Sequence, residues 1–171
     1  GNETDKISLN LYPSGNEMIK VQVWDDVCDA MQISEAINQW VSQKLNHVCK
    51  LVYMPDASKR RVDTDYALNN EITGFSDAFP VLMIGQASLD DLNSRLEKPV
   101  PMNRFRPNIV FSGGEAFEED TMKHFQISGI DFYAVKPCAR CVTTTTDQET
   151  GITAKEPLKT LSTYRAANNN V

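Results

Sequence analysis

Residues 81–96 read VLMIGQASLDDLNSRL, an apolar run that passes without a break into a segment of helical period. A continuous apolar stretch as short as VLMIG fits a strand buried on both faces. Ser88 then offers a hydroxyl to cap a helix, with Leu89, Leu92 and Leu96 on its inward face. Asp90 and Asp91 fall in its first turn, where the helix dipole favours negative charge. These two carboxylates are therefore expected to serve the helix and not to form an acid–base pair. The expected fold class is mainly β with helices, an α+β arrangement.

Downstream, NIVFSGG (108–114) reads as another strand closed by a flexible turn, and HFQISGIDFYAVKP (124–137) as two alternating strands hinged at Ser128-Gly129. CVTTTT (141–146) is rich in β-branched residues and runs into the turn DQETG, so it too is expected to be extended. Upstream, ISLNLY (7–12) and MIKVQVW (18–24) alternate apolar and polar residues around PSGNE, which predicts a β-hairpin. Ser34 can cap a helix through about Leu45, because Ile33, Ile37, Trp40, Val41 and Leu45 recur at helical spacing. KLVYM (50–54) is a further strand. The polar loop PDASKRRVDTDY follows, and its cluster Lys59, Arg60, Arg61 is either a solvated surface or a contact for a phosphate. A join near 75–80 divides the chain into two β-rich lobes, 1–74 and 75–171.

The chain has 171 residues, 41% of them hydrophobic, enough for one domain or two small lobes packed together. Its 23 acidic and 17 basic residues give a net charge of -6 with no basic arm, which argues against a nucleic-acid partner. No apolar run approaches the ~20 residues that span a bilayer. The opening GNETDKISLNLY lacks a signal pattern, and the chain both starts and stops as a piece of a longer protein would. The true N-terminus is expected to lie upstream.

Of four cysteines, Cys28 and Cys49 read as small buried hydrophobes, and reduced thiols in a cytoplasmic setting are expected. Cys138 and Cys141, in KPCARCVTTTT, call for more. The two histidines, His47 and His124, stand apart and no second CxxC exists, so zinc is poorly supported. A dithiol enzyme places its CxxC at the start of a helix, which VTTTT disfavours. What the residues leave open is one reactive thiolate beside Arg140, a nucleophile and a soft metal ligand, or two incidental strand cysteines.

Four segments taken in order, FPVLMIGQASLDDLNSRL, FRPNIVFSGGEAFEED, KPCARCVTTTTDQETG and EPLKTLSTYR, resemble the MOSC domain, named for the C-terminal domain of molybdenum cofactor sulfurase. The likeness is to the branch containing the amidoxime-reducing components and their bacterial relatives, and it covers roughly residues 75 to 165. ISEAINQWVSQKL, CKLVYMP and SKRRVDTDYA resemble the later half of the β-barrel domain that precedes MOSC in such proteins. The resemblance implies that 1–74 is that later part, truncated at its start, and that 75–171 is a MOSC β-barrel lobe truncated at its end.

The same resemblance implies a molybdenum cofactor, with Cys141 as the thiolate bound to molybdenum and Cys138 as a cysteine that is not a ligand. Arg106 and Asn108 would hold the pterin and its phosphate, Arg140 would keep Cys141 deprotonated, and Arg60 and Arg61 would be further anion contacts. The function implied is oxidoreduction of small N-hydroxylated substrates with electrons from a ferredoxin-type or flavin reductase partner. Two alternatives are a sulfur carrier with a persulfide on Cys141 and a non-catalytic cofactor carrier. With the early barrel strands and the last MOSC strands outside the chain, this piece is expected to fold but to be cofactor-free and inactive alone.

Overall fold

The computed structural model describes residues 6–8, 10, 12–13 and 17–166. The chain divides into two compact units, Gly1–Pro80 and Val81–Val171. The fold is mixed α+β, built among the described residues from three open sheets and three α-helices, with no closed barrel.

In the first unit, β1 (Met18–Val23) and β2 (Asp26–Gln32) form an antiparallel hairpin with Val23 opposite Asp26, and β3 (Val52–Tyr53) adds to the far side of β2. The alternation in MIKVQV is thus a strand, but its partner is β2, reached through a two-residue turn in which Trp24 takes φ 54. The expected pairing with ISLNLY across PSGNE lies partly outside the described residues, and Ile7, Ser8, Asn10 and Tyr12 are in no strand. Helix α1 (Glu35–Leu45) begins where expected: Ser34 accepts a hydrogen bond from the Ile37 N–H at 3.2 Å, and Asn46 closes the helix in the left-handed region. Ile37 is buried, while Leu45 at the end of the expected stripe is 65% exposed.

The second unit opens with a β–α–β segment. β4 (Met83–Gly85) lies parallel to β5 (Ile109–Phe111), and α2 (Gln86–Arg95) comes between them in the chain. Of the expected strand VLMIG, only Met83–Gly85 is one, and the helix starts two residues before Ser88, with no side-chain cap. Ser88 instead accepts the Phe117 N–H and donates to Glu119, both at 2.8 Å, and Glu119 also accepts the Gly85 N–H. The acidic pair accordingly falls past the first turn, where Asp91 pairs with Arg95 at i,i+4 and Asp90 accepts from Gln86. Gly85 has no room for a side chain, since a Cβ would stand 2.9 Å from the Phe111 ring.

Leu89, Leu92, Val100, Phe105 and Leu161 form the buried core, joined by Leu96, Met102 and Tyr164 at its edge. Leu161 and Tyr164 belong to α3 (Leu158–Tyr164), a helix the sequence reading does not anticipate. β6 (His124–Ile127) and β7 (Ile130–Tyr133) pair antiparallel around Ser128 and Gly129, both at positive φ, as the hinge predicts.

Candidate functional site

Two short 3-10 turns build the site, and the core fixes the first of them. Residues Met102–Phe105 make one turn after Pro101, and Phe105, 7% exposed, seats it in the core. Arg106 ends it in the left-handed region at φ 54, its N–H bonded to the Asn103 carbonyl at 3.2 Å. Arg104 therefore points inward and is buried, while Arg106 is exposed. The Arg106 guanidinium has no partner among the described residues. Asn108 ties the two parallel strands together: its Oδ1 accepts the Leu82 N–H at 2.9 Å and its own N–H reaches the Leu82 carbonyl at 2.8 Å.

The cysteine segment departs from its expected extended form. Val142–Thr145 is a 3-10 turn with Cys141 at its head. Threonines favour strands when a neighbouring strand takes up their backbone groups, but here the hydroxyls fold back on the turn itself. Thr144 Oγ1 donates to the Cys141 carbonyl at 3.0 Å, and Thr145 Oγ1 to that of Val142 at 2.6 Å. Arg104 takes the Thr144 carbonyl and shares that of Thr145 with the Ala154 N–H, so strand pairing here is cut to a single bridge between Thr146 and Thr153.

This turn sets the chemistry of Cys141. Its exposed thiol is held below the usual thiol range, first by the Thr143 hydroxyl, then by the Thr143 N–H, with the positive charge of Arg140 a smaller help against partial desolvation. Thr143 is the residue that sequence reading misses. The available signal is a hydroxyl two residues after a cysteine at the head of a turn. Arg140 does less for Cys141 than expected, because it donates to the other thiol, Cys138 Sγ, at 3.2 Å and to the Phe105 carbonyl at 2.7 Å. Its Nε is buried and has no partner among the described residues.

Beside the turn opens a groove of about 460 Å³ lined by Arg106, Thr143, Thr146, Asp147, Gln148 and Gly151. Asp147 is held below the usual carboxylate range, chiefly by the N–H and hydroxyl of Thr150, with Arg104 contributing. Of the expected site residues, Arg106 lines this groove, Cys141 heads the turn whose Thr143 also lines it, Arg140 reaches the Phe105 carbonyl next to Arg106, and Asn108 is engaged with Leu82 at the start of β5. Among the described residues, no three His, Cys, Asp or Glu side chains gather as a metal-holding set.

Arg60 and Arg61 lie in the first unit. Arg60 is 5% exposed and donates to Asp26 at 2.8 Å and to the carbonyls of Gly74, Ser76 and Asp77. It latches the 56–77 loop to β2, which leaves one of its five donors for an anion. Arg61 is exposed and donates to Asn70 at 3.0 Å.

The MOSC domain model matches residues 70–171. The chain is 38% identical to mitochondrial amidoxime-reducing component 1 of Mus musculus over 159 residues, covering 90% of this chain and 46% of that protein. For the Homo sapiens protein of the same name the figures are 37% over 158 residues, 90% and 47%, and for that of Danio rerio 34% over 171 residues, 96% and 53%. The chain spans about half the length of the curated relatives it matches. A match over more than half of the residues, taking in both turns and the groove between them, makes this chain a member of the MOSC domain family.

Proposed function

We propose that the chain is the molybdenum cofactor-binding part of an oxidoreductase that reduces small N-hydroxylated substrates. The observation that carries the reading is Cys141, an exposed thiol held toward the thiolate at the head of a turn, next to a groove into which the unpartnered Arg106 projects. A lone activated thiolate suits a soft metal that arrives with most of its ligands already bound. The residues present fit such a group. Arg106 offers a free guanidinium fork for a phosphate, the Asn108 amide keeps its N–H donors free, and the buried Nε of Arg140 lacks an acceptor among the described residues. The resemblance to relatives named as amidoxime-reducing components supports the substrate class.

In this reading the cofactor would supply a metal able to cycle by two electrons. Cys141 would ligate it and tune it, without attacking substrate. Thr143 would ease loss of the thiol proton before loading. Arg106 and Asn108 would orient the pterin end, and Arg140, anchored on the Phe105 carbonyl, would hold the Cys138–Cys141 loop in place. Electrons would come from a ferredoxin-type or flavin reductase partner. Residues 1–74 would be the later part of the preceding barrel domain and 75–171 the MOSC domain, in a reducing, cytoplasmic setting where its four free thiols persist.

Molybdenum analysis of the full-length protein, combined with turnover of an N-hydroxylated test compound, tests the proposal. Bound molybdenum with reduction of the compound supports it, and bound molybdenum without turnover identifies a cofactor carrier. Absence of molybdenum with persulfide on Cys141 identifies a sulfur carrier, and either of these last two results refutes the oxidoreductase reading.

A further inference from the structure

Cys141 is gripped on both sides by the same four-residue turn. Before it, Arg140 donates to the Phe105 carbonyl at 2.7 Å. After it, Arg104 Nε donates to the Thr144 carbonyl at 3.1 Å, Nη2 to that of Thr145 at 3.2 Å, and Nη1 to Asp147 at 3.3 Å. Beyond that, Gln148 donates to the Asn103 carbonyl at 2.6 Å. Three consecutive residues, 103 to 105, thus hold the chain from 140 to 148. Arg104 is the centre of the grip. It is 6% exposed, and a buried guanidinium with one half-exposed carboxylate partner is an expensive way to stabilise a core. The carbonyls it binds lie about 40 residues away in sequence, on the turn that presents Thr143 to the thiol.

We propose that Arg104 is the positioning residue of the site: its planar fork fixes the 142–145 turn against the 102–105 turn and so sets the distance from Cys141 to Arg106. The inference rests on the proposed function for its catalytic meaning, but the grip itself is a property of the chain. A lysine cannot replace the fork, because a single ammonium cannot reach two successive carbonyls and a carboxylate in one plane.

The test uses full-length protein with Arg104→Lys, which keeps a buried cation and most of the volume, and Arg104→Met, which keeps only the volume. Lys98→Met serves as an exposed control outside the site. In cofactor-free protein, amide hydrogen exchange at Thr144 and Thr146, whose N–H groups close the turn onto Cys141 and Thr143, should quicken about tenfold in Arg104→Lys, ~1.4 kcal/mol. Amides of α2 should not change. In loaded protein, the molybdenum paramagnetic resonance signal should shift in Arg104→Lys and stay unchanged in Lys98→Met, a change that a purely structural arginine would not cause. Unchanged exchange at 144 and 146, or quickening shared equally with α2, overturns the proposal. If Arg104→Met fails to fold, Arg104→Lys decides alone. Should the parent protein bind no molybdenum, the proposed function falls, while the exchange result still judges the grip.

Discussion

Replacing Arg60 by methionine separates two roles that the sequence leaves together, an anion contact and an internal latch. Its guanidinium makes one ionic hydrogen bond to Asp26 and three to the carbonyls of Gly74, Ser76 and Asp77. Asp26 is half exposed, so that pair is screened and contributes little beyond ~0.5 kcal/mol. The three carbonyls are only partly buried and can recover water, so each lost bond costs about 1 kcal/mol, below the usual range for a charged partner. With the Asp26 pair the sum is about 3.5 kcal/mol. With a urea slope of ~2 kcal/mol/M for a chain of this size, the unfolding midpoint should fall by about 1.75 M. Both tryptophans, Trp24 and Trp40, lie in the unit that Arg60 latches, so their fluorescence reports its unfolding directly. Arg61→Met, at an exposed site with a single bond to Asn70, should shift the midpoint by less than roughly 0.3 M. A midpoint unmoved by Arg60→Met, together with loss of pterin from the full-length protein, would refute the latch and restore the anion contact.

Two further outcomes follow from the site. Because the Thr143 hydroxyl is the largest cause holding Cys141 below the usual thiol range, alkylation of Cys141 in cofactor-free protein should reach half its full rate at a lower pH than a free cysteine thiol in solution. Thr143→Val should move that midpoint upward and Thr143→Ser should leave it nearly in place; a profile indifferent to both changes would contradict the assignment. Arg106→Ala should cut the pterin content of full-length protein while changing stability by less than about 0.5 kcal/mol, since the side chain is exposed and has no partner among the described residues. Unfolding without a specific cofactor effect, seen by circular dichroism and pterin fluorescence, would count against it.

What the sequence discloses here is mostly local. Ser34 and the stripe behind it give the start of α1 because capping needs only the residues within one turn. The apolar run at β4 and the positive-φ pair at Ser128-Gly129 are equally self-contained. The partner of β1 is not, since two alternating segments compete for it and the Trp24-Asp25 turn carries no glycine or asparagine to advertise the hairpin. CVTTTT misleads because strand preference depends on a partner strand, and here the segment pairs only through one bridge at Thr146 while Arg104 holds the Thr144 carbonyl and shares that of Thr145. The CARC spacing draws attention to Cys141 and the family resemblance to Arg106, whereas the parts of Arg104 and Thr143 arise from a turn and a long-range contact that no spacing rule encodes. The Arg60 latch is hidden for the same reason, its acceptors lying 14 to 17 residues further on and in β2.

The most direct test of the central claim compares two substitutions, Cys141→Ser and Cys138→Ser, by molybdenum content and molybdenum spectrum in full-length protein. A thiolate ligand at Cys141 predicts that Cys141→Ser changes the metal spectrum and abolishes most turnover, because a hard, weakly acidic hydroxyl replaces a soft sulfur. Cys138→Ser should leave the spectrum close to that of the parent, since this thiol's partner is the Arg140 guanidinium. Equal damage from the two substitutions, or no molybdenum in carefully reconstituted parent protein, would contradict the account.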